Sequence, residues 1–162
     1  DDGGASTSTY QVGETGEIWV RGASLFSGYW PDGAGGPNED GWFATGDVGY
    51  FDYEQDLHLV DRRSDLILVS GFNVYPREVE DVIVQHDSVV EAAVTGVVHP
   101  YSGEAVKAYI VIAPGSAVST EEILEWCEQR LARYKCPTIV EVVQSLPHAV
   151  TGKLARGRLK DA

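Results

Sequence analysis

Between residues 65 and 143 the apolar positions recur with two different periods. Leu66–Val69 and Phe72–Tyr75 are short apolar runs around Ser70-Gly71 and predict two strands joined by a turn. Pro76 then opens a helix, where its missing N–H is harmless. Val79, Val82, Ile83 and His86 follow at three- and four-residue spacing and give that helix one buried face. Val89–Val97 and Ala105–Ile112 are β-branched runs joined by the turn-like His99–Gly103 segment. Ser119 with Glu122 has the spacing of a capping box. Its helix carries Ile123, Leu124, Cys127, Leu131 and Tyr134 on one face until Pro137 stops it, and Thr138–Val143 predicts a further strand. A polar tail follows. The order ββ-α-β-β-α-β predicts a small α+β domain with helices packed on one sheet.

Residues 1–60 read differently. Glu17–Val20, Gly49–Tyr53 and Leu57–Val60 are short β-type runs, the last two separated by the polar Glu54-Gln55-Asp56 turn. Gly28–Gly41 between them is rich in Gly and Pro and predicts a loop. No amphipathic helix is visible. A β-rich piece of this size buries little by itself and is expected to be a subdomain of something larger.

Composition bounds the reading. With 162 residues, 43% of them hydrophobic, the chain is long enough for a core without disulfide staples. Its apolar runs are strand-sized and far short of a membrane span. The net charge of −13 argues against broad electrostatic binding of nucleic acid or of anionic membrane. That charge is uneven: residues 1–60 hold 11 acids against a single base, Arg21, whereas Lys153, Arg156, Arg158 and Lys160 crowd the last ten residues. An anionic ligand would be met locally, by these positions. The two cysteines, Cys127 and Cys136, make neither a disulfide framework nor a metal motif, and Cys127 reads as a small buried hydrophobe. His58, His86, His99 and His148 are scattered and read as surface or packing residues, and no metal ligand is nameable. The start, Asp1–Ser6, lacks Met and reads as a fragment boundary, and no secretory signal is visible.

Four stretches carry candidate chemistry. Gly16–Gly22 is a strand bounded by glycines. In Thr45-Gly46-Asp47 a carboxylate follows a flexible glycine, where it can accept hydrogen bonds from sugar hydroxyls or cap a turn. In Asp61–Asp65, Arg62 can hold a nucleotide through its fork of donors or belong to a solvated linker. In Thr151–Arg156, Lys153 follows a glycine on a polar loop, and no phosphate-loop pattern precedes it.

Taken in order, Gly16–Gly22, Trp42–Asp47, Asp61–Glu80 and Thr151–Arg156 resemble the C-terminal motifs of the adenylate-forming superfamily. The wording of Val60–Glu80, of Gly103–Lys107 and of Tyr134–Pro137 is most similar to the fatty-acyl-CoA ligase branch. The resemblance implies residues 1–61 as the β-rich end of an N-terminal adenylating domain, 62–64 as a hinge with Arg63 and Ser64 at the pivot, and 65–162 as a mobile C-terminal lid domain. The lid is expected to be α+β, a three-stranded sheet with helices plus a two-stranded hairpin. The reaction implied joins a fatty acid to ATP as an acyl-adenylate, releasing pyrophosphate, and then to coenzyme A as a thioester. ATP with Mg²⁺ and CoA would be substrates of the intact enzyme, none held tightly by this chain.

By the same resemblance, Asp47 and Arg62 would hold the ribose of ATP or AMP. Lys153 would reach the α-phosphate and the attacking carboxylate, and Ser70, Gly71 and Phe72 would line the path of CoA. Ser64 stands where many relatives carry Asp or Lys. Asn73 stands where some carry Arg for a CoA contact, so that role is not given to it. The phosphate loop and acyl pocket are missing and belong to the partner N-terminal domain, so the chain alone is expected to be inactive. A cytoplasmic place is expected, with peripheral membrane attachment through the parent enzyme left open. Two other readings stand beside this one: a ligase that loads a carrier protein, and a non-catalytic binding module that kept the fold.

Overall fold

The computed structural model describes residues 11–160. The chain divides into two compact units, Asp1–Arg63 and Ser64–Ala162.

In the first unit β1 (Gly16–Arg21), β2 (Trp42–Phe51) and β3 (Leu57–Arg62) form an antiparallel sheet in that order. β2 is longer than the Gly49–Tyr53 run predicts. It begins at Trp42, pairing Trp42, Phe43 and Ala44 with Arg21, Val20 and Trp19, and it ends before Tyr53. Gly46, at φ 74°, breaks the alternation that would have revealed the strand. The β2–β3 turn is organised by Asp52, whose Oδ1 accepts the backbone N–H groups of Glu54 and Asp56, both at 2.9 Å. Its Oδ2 lies 2.6 Å from His58 Nε2, and this bond, followed by that to Asp56, holds the carboxyl below its usual range.

The second unit begins beyond Arg63, in a 3₁₀ turn at Arg63–Asp65. It contains β4 (Ile67–Val69), β5 (Phe72–Val74), α1 (Pro76–Ile83), β6 (Val89–His99), β7 (Gly103–Ile112), α2 (Thr120–Glu128), β8 (Ile139–Val142) and a final turn of helix, α3 (Gly157–Lys160). β7 is the central strand. β6 pairs with it antiparallel along its whole length, and β8 lies parallel to it from Lys107 to Ile110. The β4–β5 hairpin joins the sheet through one register pair, Val69 with Gly103.

The middles of β6 and β7 are buried on both faces, which is why apolar residues crowd these strands without a clean alternation. Val94, Val106 and Ile110 pack with Val79 and Ile83 of α1 and with Ile123 and Cys127 of α2. Ala93 and Tyr109 face the other way and meet Leu146 and Leu159. The tail beyond β8 is therefore not a polar appendage, as its sequence suggests. It folds back over the second face, where the Tyr109 hydroxyl donates to the Leu159 carbonyl at 3.1 Å. Leu146, Leu154 and Leu159 are too widely and irregularly spaced to show either period.

α2 is also shorter than expected. The Ser119 hydroxyl accepts the Glu122 N–H at 3.2 Å, and the Glu122 carboxylate accepts the Ser119 N–H at 2.8 Å, which completes the capping box. The helix ends at Glu128, where the N–H groups of Arg130 and Leu131 both turn back to the Cys127 carbonyl. Arg130 lies over the Trp126 ring and Leu131 packs on the core. Tyr134 therefore leaves the helix and stacks on Phe72 at 4.8 Å from a 3₁₀ turn, Arg133–Lys135. Burial pushes the Cys127 thiol up to about 11 and raises that of Cys136, so neither is a reactive thiolate at neutral pH.

Ser119→Ala should cost about 1 kcal/mol in chemical denaturation, the typical value of a lost N-cap. The Ser119 N–H bond holds the Glu122 carboxyl below its ordinary value. The box is therefore fully formed above the unfolded carboxylate range and weakens as pH falls through the lowered value. The cost of Glu122→Ala should shrink over that acid window, and a constant cost would show that the carboxylate contributes nothing.

Candidate functional site

The first pair of candidate residues comes together across the β2–β3 ladder. Asp47 and Arg62 are register partners, and Arg62 Nε lies 3.2 Å from Asp47 Oδ1. Both side chains are partly exposed, so screening leaves the pair about 0–1 kcal/mol of stabilisation at most. Its chemistry faces outward: a carboxylate that only accepts stands beside a guanidinium that only donates. A vicinal diol, which does both, matches that set. Thr45 aims the carboxylate. Its hydroxyl donates to the Ile18 carbonyl at 2.9 Å and accepts the Asp47 N–H at 3.1 Å, which fixes the chain on either side of Gly46. Beyond Arg62, the Arg63 guanidinium bonds to Glu17 Oε2 of β1. Ser64 follows in the 3₁₀ turn, its hydroxyl 3.1 Å from Asp65 Oδ1.

Ser70 and Gly71 form the two-residue loop of the β4–β5 hairpin. Their φ values of 50° and 85° and the Val69–Phe72 pairing are those of a type I′ turn, whose twist matches the flanking strands. Nothing in the structure lies within 4 Å of where a Gly71 Cβ would project. Glycine is therefore required by backbone angle. Phe72 stands exposed beside the turn, against Tyr134.

Lys153 sits on a second hairpin, whose loop is one residue longer. The Ala149 N–H bonds to the Lys153 carbonyl, Gly152 N–H to Ala149, and Ala155 N–H to Pro147, all between 2.8 and 2.9 Å. Gly152, at φ 79°, makes the reversal, and His148 bridges to Leu154. The hairpin is tied to the domain by His148 Nε2 at 2.7 Å from Glu91 of β6, and by Leu154 packing on the second core. The Lys153 side chain is exposed. A lysine that sequence alone places on a polar loop is thus carried on a braced support.

Three residues on, Arg156 enters the domain. Its Nε and Nη2 bond to the two carboxylate oxygens of Glu80, and its Nη1 lies 3.2 Å from Asp65. Glu80 is buried and also accepts the Val94 N–H at 2.8 Å. Sequence reasoning missed this cluster. Glu80 follows Val79 with nothing to mark its burial, and its partner lies 76 residues away. The Arg156 position was visible only as one more base behind Lys153. Among the described residues, no group of three or more His, Cys, Asp or Glu is arranged to hold a metal ion.

Residues 78–153 match the family of AMP-binding enzyme C-terminal domains, the match ending on Lys153 itself. The second unit is an AMP-binding enzyme C-terminal domain. Over 99% of the chain, the sequence is 45% identical to a long-chain-fatty-acid–CoA ligase of Yersinia pestis, of which it spans only 28%. Two solved structures are also similar. An amide bond synthetase of Marinactinospora thermotolerans is 40% identical, with a TM-score of 0.85 over 99% of this chain and 33% of its own. An o-succinylbenzoate coenzyme A synthetase of Bacillus subtilis, in complex with ATP and magnesium ion, is also 40% identical, with a TM-score of 0.82 over 93% of this chain and 31% of its own. The AMP-binding enzyme C-terminal domain and the strands before it are thus shared by proteins whose names give different acids and different products. No helix among the described residues is long and apolar enough to cross a membrane.

Gly71→Ala in this domain should cost about 1 kcal/mol, because a Cβ is strained at positive φ. Gly71→Asn should cost less, since Asn tolerates that region. Equal denaturation midpoints for wild type and both variants would contradict the turn assignment.

Proposed function

We propose that the chain is the C-terminal part of an ATP-dependent fatty-acid–CoA ligase. The observation that carries this reading is the Asp47–Arg62 pair: two residues 15 positions apart, matched across a ladder and joined at 3.2 Å, with complementary donors and acceptors facing outward. In the first half-reaction Asp47 accepts hydrogen bonds from the ribose hydroxyls of ATP and Arg62 donates to the same sugar. The fatty-acid carboxylate attacks the α-phosphorus, pyrophosphate leaves, and an acyl-adenylate remains. Mg²⁺ enters with ATP, as part of the substrate.

Lys153 spans the α-phosphate and the attacking carboxylate. Two anions must meet in this step, and a compact ammonium on a flexible stem offsets the charge that builds as the phosphorus becomes pentavalent. The segment 62–64, with Arg63 and Ser64, serves as the hinge about which the domain turns between half-reactions. In the second, the Ser70-Gly71-Phe72 hairpin lines the approach of CoA. The thiolate sulfur attacks the acyl carbonyl, the bond to the phosphate oxygen breaks, and AMP leaves. The phosphate loop and the acyl pocket belong to an N-terminal adenylating domain in cis, so the 162-residue chain alone performs neither step. The acceptor is the less constrained half of this reading, because the similar amide bond synthetase shares nearly the whole chain.

The test is Lys153→Ala in the full-length enzyme. Acyl-adenylate formation, followed by ATP–pyrophosphate exchange, should fall by about 10²–10³-fold, the usual cost of removing a charge-stabilising donor. Thioester formation from supplied acyl-adenylate should be largely kept. Equal loss in both steps would assign Lys153 to folding instead. Exchange activity in the isolated chain would overturn the claim that it needs a partner domain.

A further inference from the structure

The Arg156 cluster joins four segments at one part-buried point. Glu80 belongs to α1, Val94 to β6, Asp65 to the turn beside the unit boundary, and Arg156 to the tail just past Lys153. The guanidinium is spread across two carboxylates, using Nε and Nη2 on Glu80 and Nη1 on Asp65. Its side chain is 18% exposed and that of Glu80 is 11%. A carboxylate so buried is strongly destabilising if its partner is removed, so the Glu80 contact holds the domain together. The Asp65 contact is different. Asp65 is 26% exposed, is bonded at 3.2 Å, and is separated from the unit boundary by Ser64 alone. Domain cohesion alone gives no reason for the tail's anchor to reach the turn at the boundary.

We infer that Arg156 is a positioning residue for Lys153, acting through Asp65 to lock the lysine-bearing hairpin to the hinge turn. The inference rests on the function proposed above. The hairpin is braced on one side by His148 and Glu91 and on the other by Arg156, with only Leu154 and Ala155 between Lys153 and that anchor. A rotation at Ser64 is then passed through Asp65 and Arg156 to Lys153 with little slack. Without the Asp65 contact the domain still folds on Glu80, but the ammonium loses a fixed relation to the pivot. A misplacement of about 1 Å is enough to lower a rate by about 10²-fold. Only the step that uses Lys153 should suffer.

The experiment compares Asp65→Asn, Arg156→Lys and Arg156→Ala in the full-length enzyme, with both half-reactions and the thermal midpoint measured. Asp65→Asn keeps the shape and removes the charge. It should slow acyl-adenylate formation about tenfold or more, leave thioester formation from supplied acyl-adenylate unchanged, and shift the midpoint little. Arg156→Lys keeps a charge but not the fork, and should show the same selective loss without rescue. Arg156→Ala should also lower the midpoint, through the stranded Glu80. Ser119→Ala, which weakens the same domain without touching the cluster, should leave the ratio of the two half-reactions unchanged.

Equal loss of both half-reactions in Asp65→Asn, or a selective loss also seen in Ser119→Ala, would show a structural role and overturn the inference. If Lys153→Ala abolishes adenylation while Asp65→Asn and Arg156→Lys do not impair it, the inference fails and the proposed function stands. If Lys153→Ala itself leaves adenylation intact, the proposed function fails, and the inference with it.

Discussion

β6 and β7 need cover on two sides, and much of the second unit follows from that requirement. A pair of strands with Val94, Val106 and Ile110 on one face and Ala93 and Tyr109 on the other cannot leave either face in water. α1 and α2 cover the first. No helix follows β8 until the last turn, so the tail must cover the second, and it does so with Leu146, Leu154 and Leu159. The hydrophobic effect is non-directional, but here it has a directional result. By pinning Leu146 and Leu154 to the sheet, it forces the segment between them to reverse on itself, and Lys153 lies in that reversal.

Polar interactions then select a single arrangement for that reversal. Glu80 is placed where only a paired carboxylate is tolerated, and the guanidinium that pairs with it comes from the tail. Such a pair is weak evidence for added stability, since apolar residues of similar volume can do as well. What it adds is a tie between distant parts of the chain: the guanidinium that completes Glu80 comes from the tail, 76 residues on. The His148–Glu91 contact, with both side chains half-exposed, ties the other side of the hairpin more loosely.

The starts of α1 and α2, the β6–β7 pair and the order of elements as far as β8 are legible in the sequence because each is a local signal. Ser119 and Glu122 cap what they adjoin, Pro76 opens what it precedes, and the β-branched runs pair with near neighbours. The end of α2 was not legible, because Leu131 and Tyr134 keep helical spacing after the helix has stopped. What ends it is the Cys127 carbonyl taking two N–H groups, together with the Arg130 stack on Trp126, and neither has a residue code. β2 reads short in the sequence because Gly46 hides its first half. Of the proposed site, Asp47, Arg62 and Lys153 stand out in the sequence through ordered motifs. Their supports, Thr45, His148 and Glu80, do not, since each acts on a partner fixed only by the fold.

The β4–β5 hairpin hangs from the domain by few threads: the Val69–Gly103 pair, the Ser70 N–H on the Ser102 carbonyl, and the Leu68 N–H on the Glu104 carboxylate. Ile67 and Val74 root its base in the core, while Leu68, Phe72 and Asn73 stay outside. The Lys153 hairpin is tied on one side by His148 to Glu91 and on the other by Arg156 to the buried Glu80, which cannot lose its partner cheaply. The domain therefore has one face that is costly to rewrite and one that is cheap. Substitutions at the exposed Leu68, Phe72 and Asn73, beside the turn that Gly71 fixes, can accumulate without unsettling the fold, so this face is free to change in what it meets while the lysine-bearing side is held.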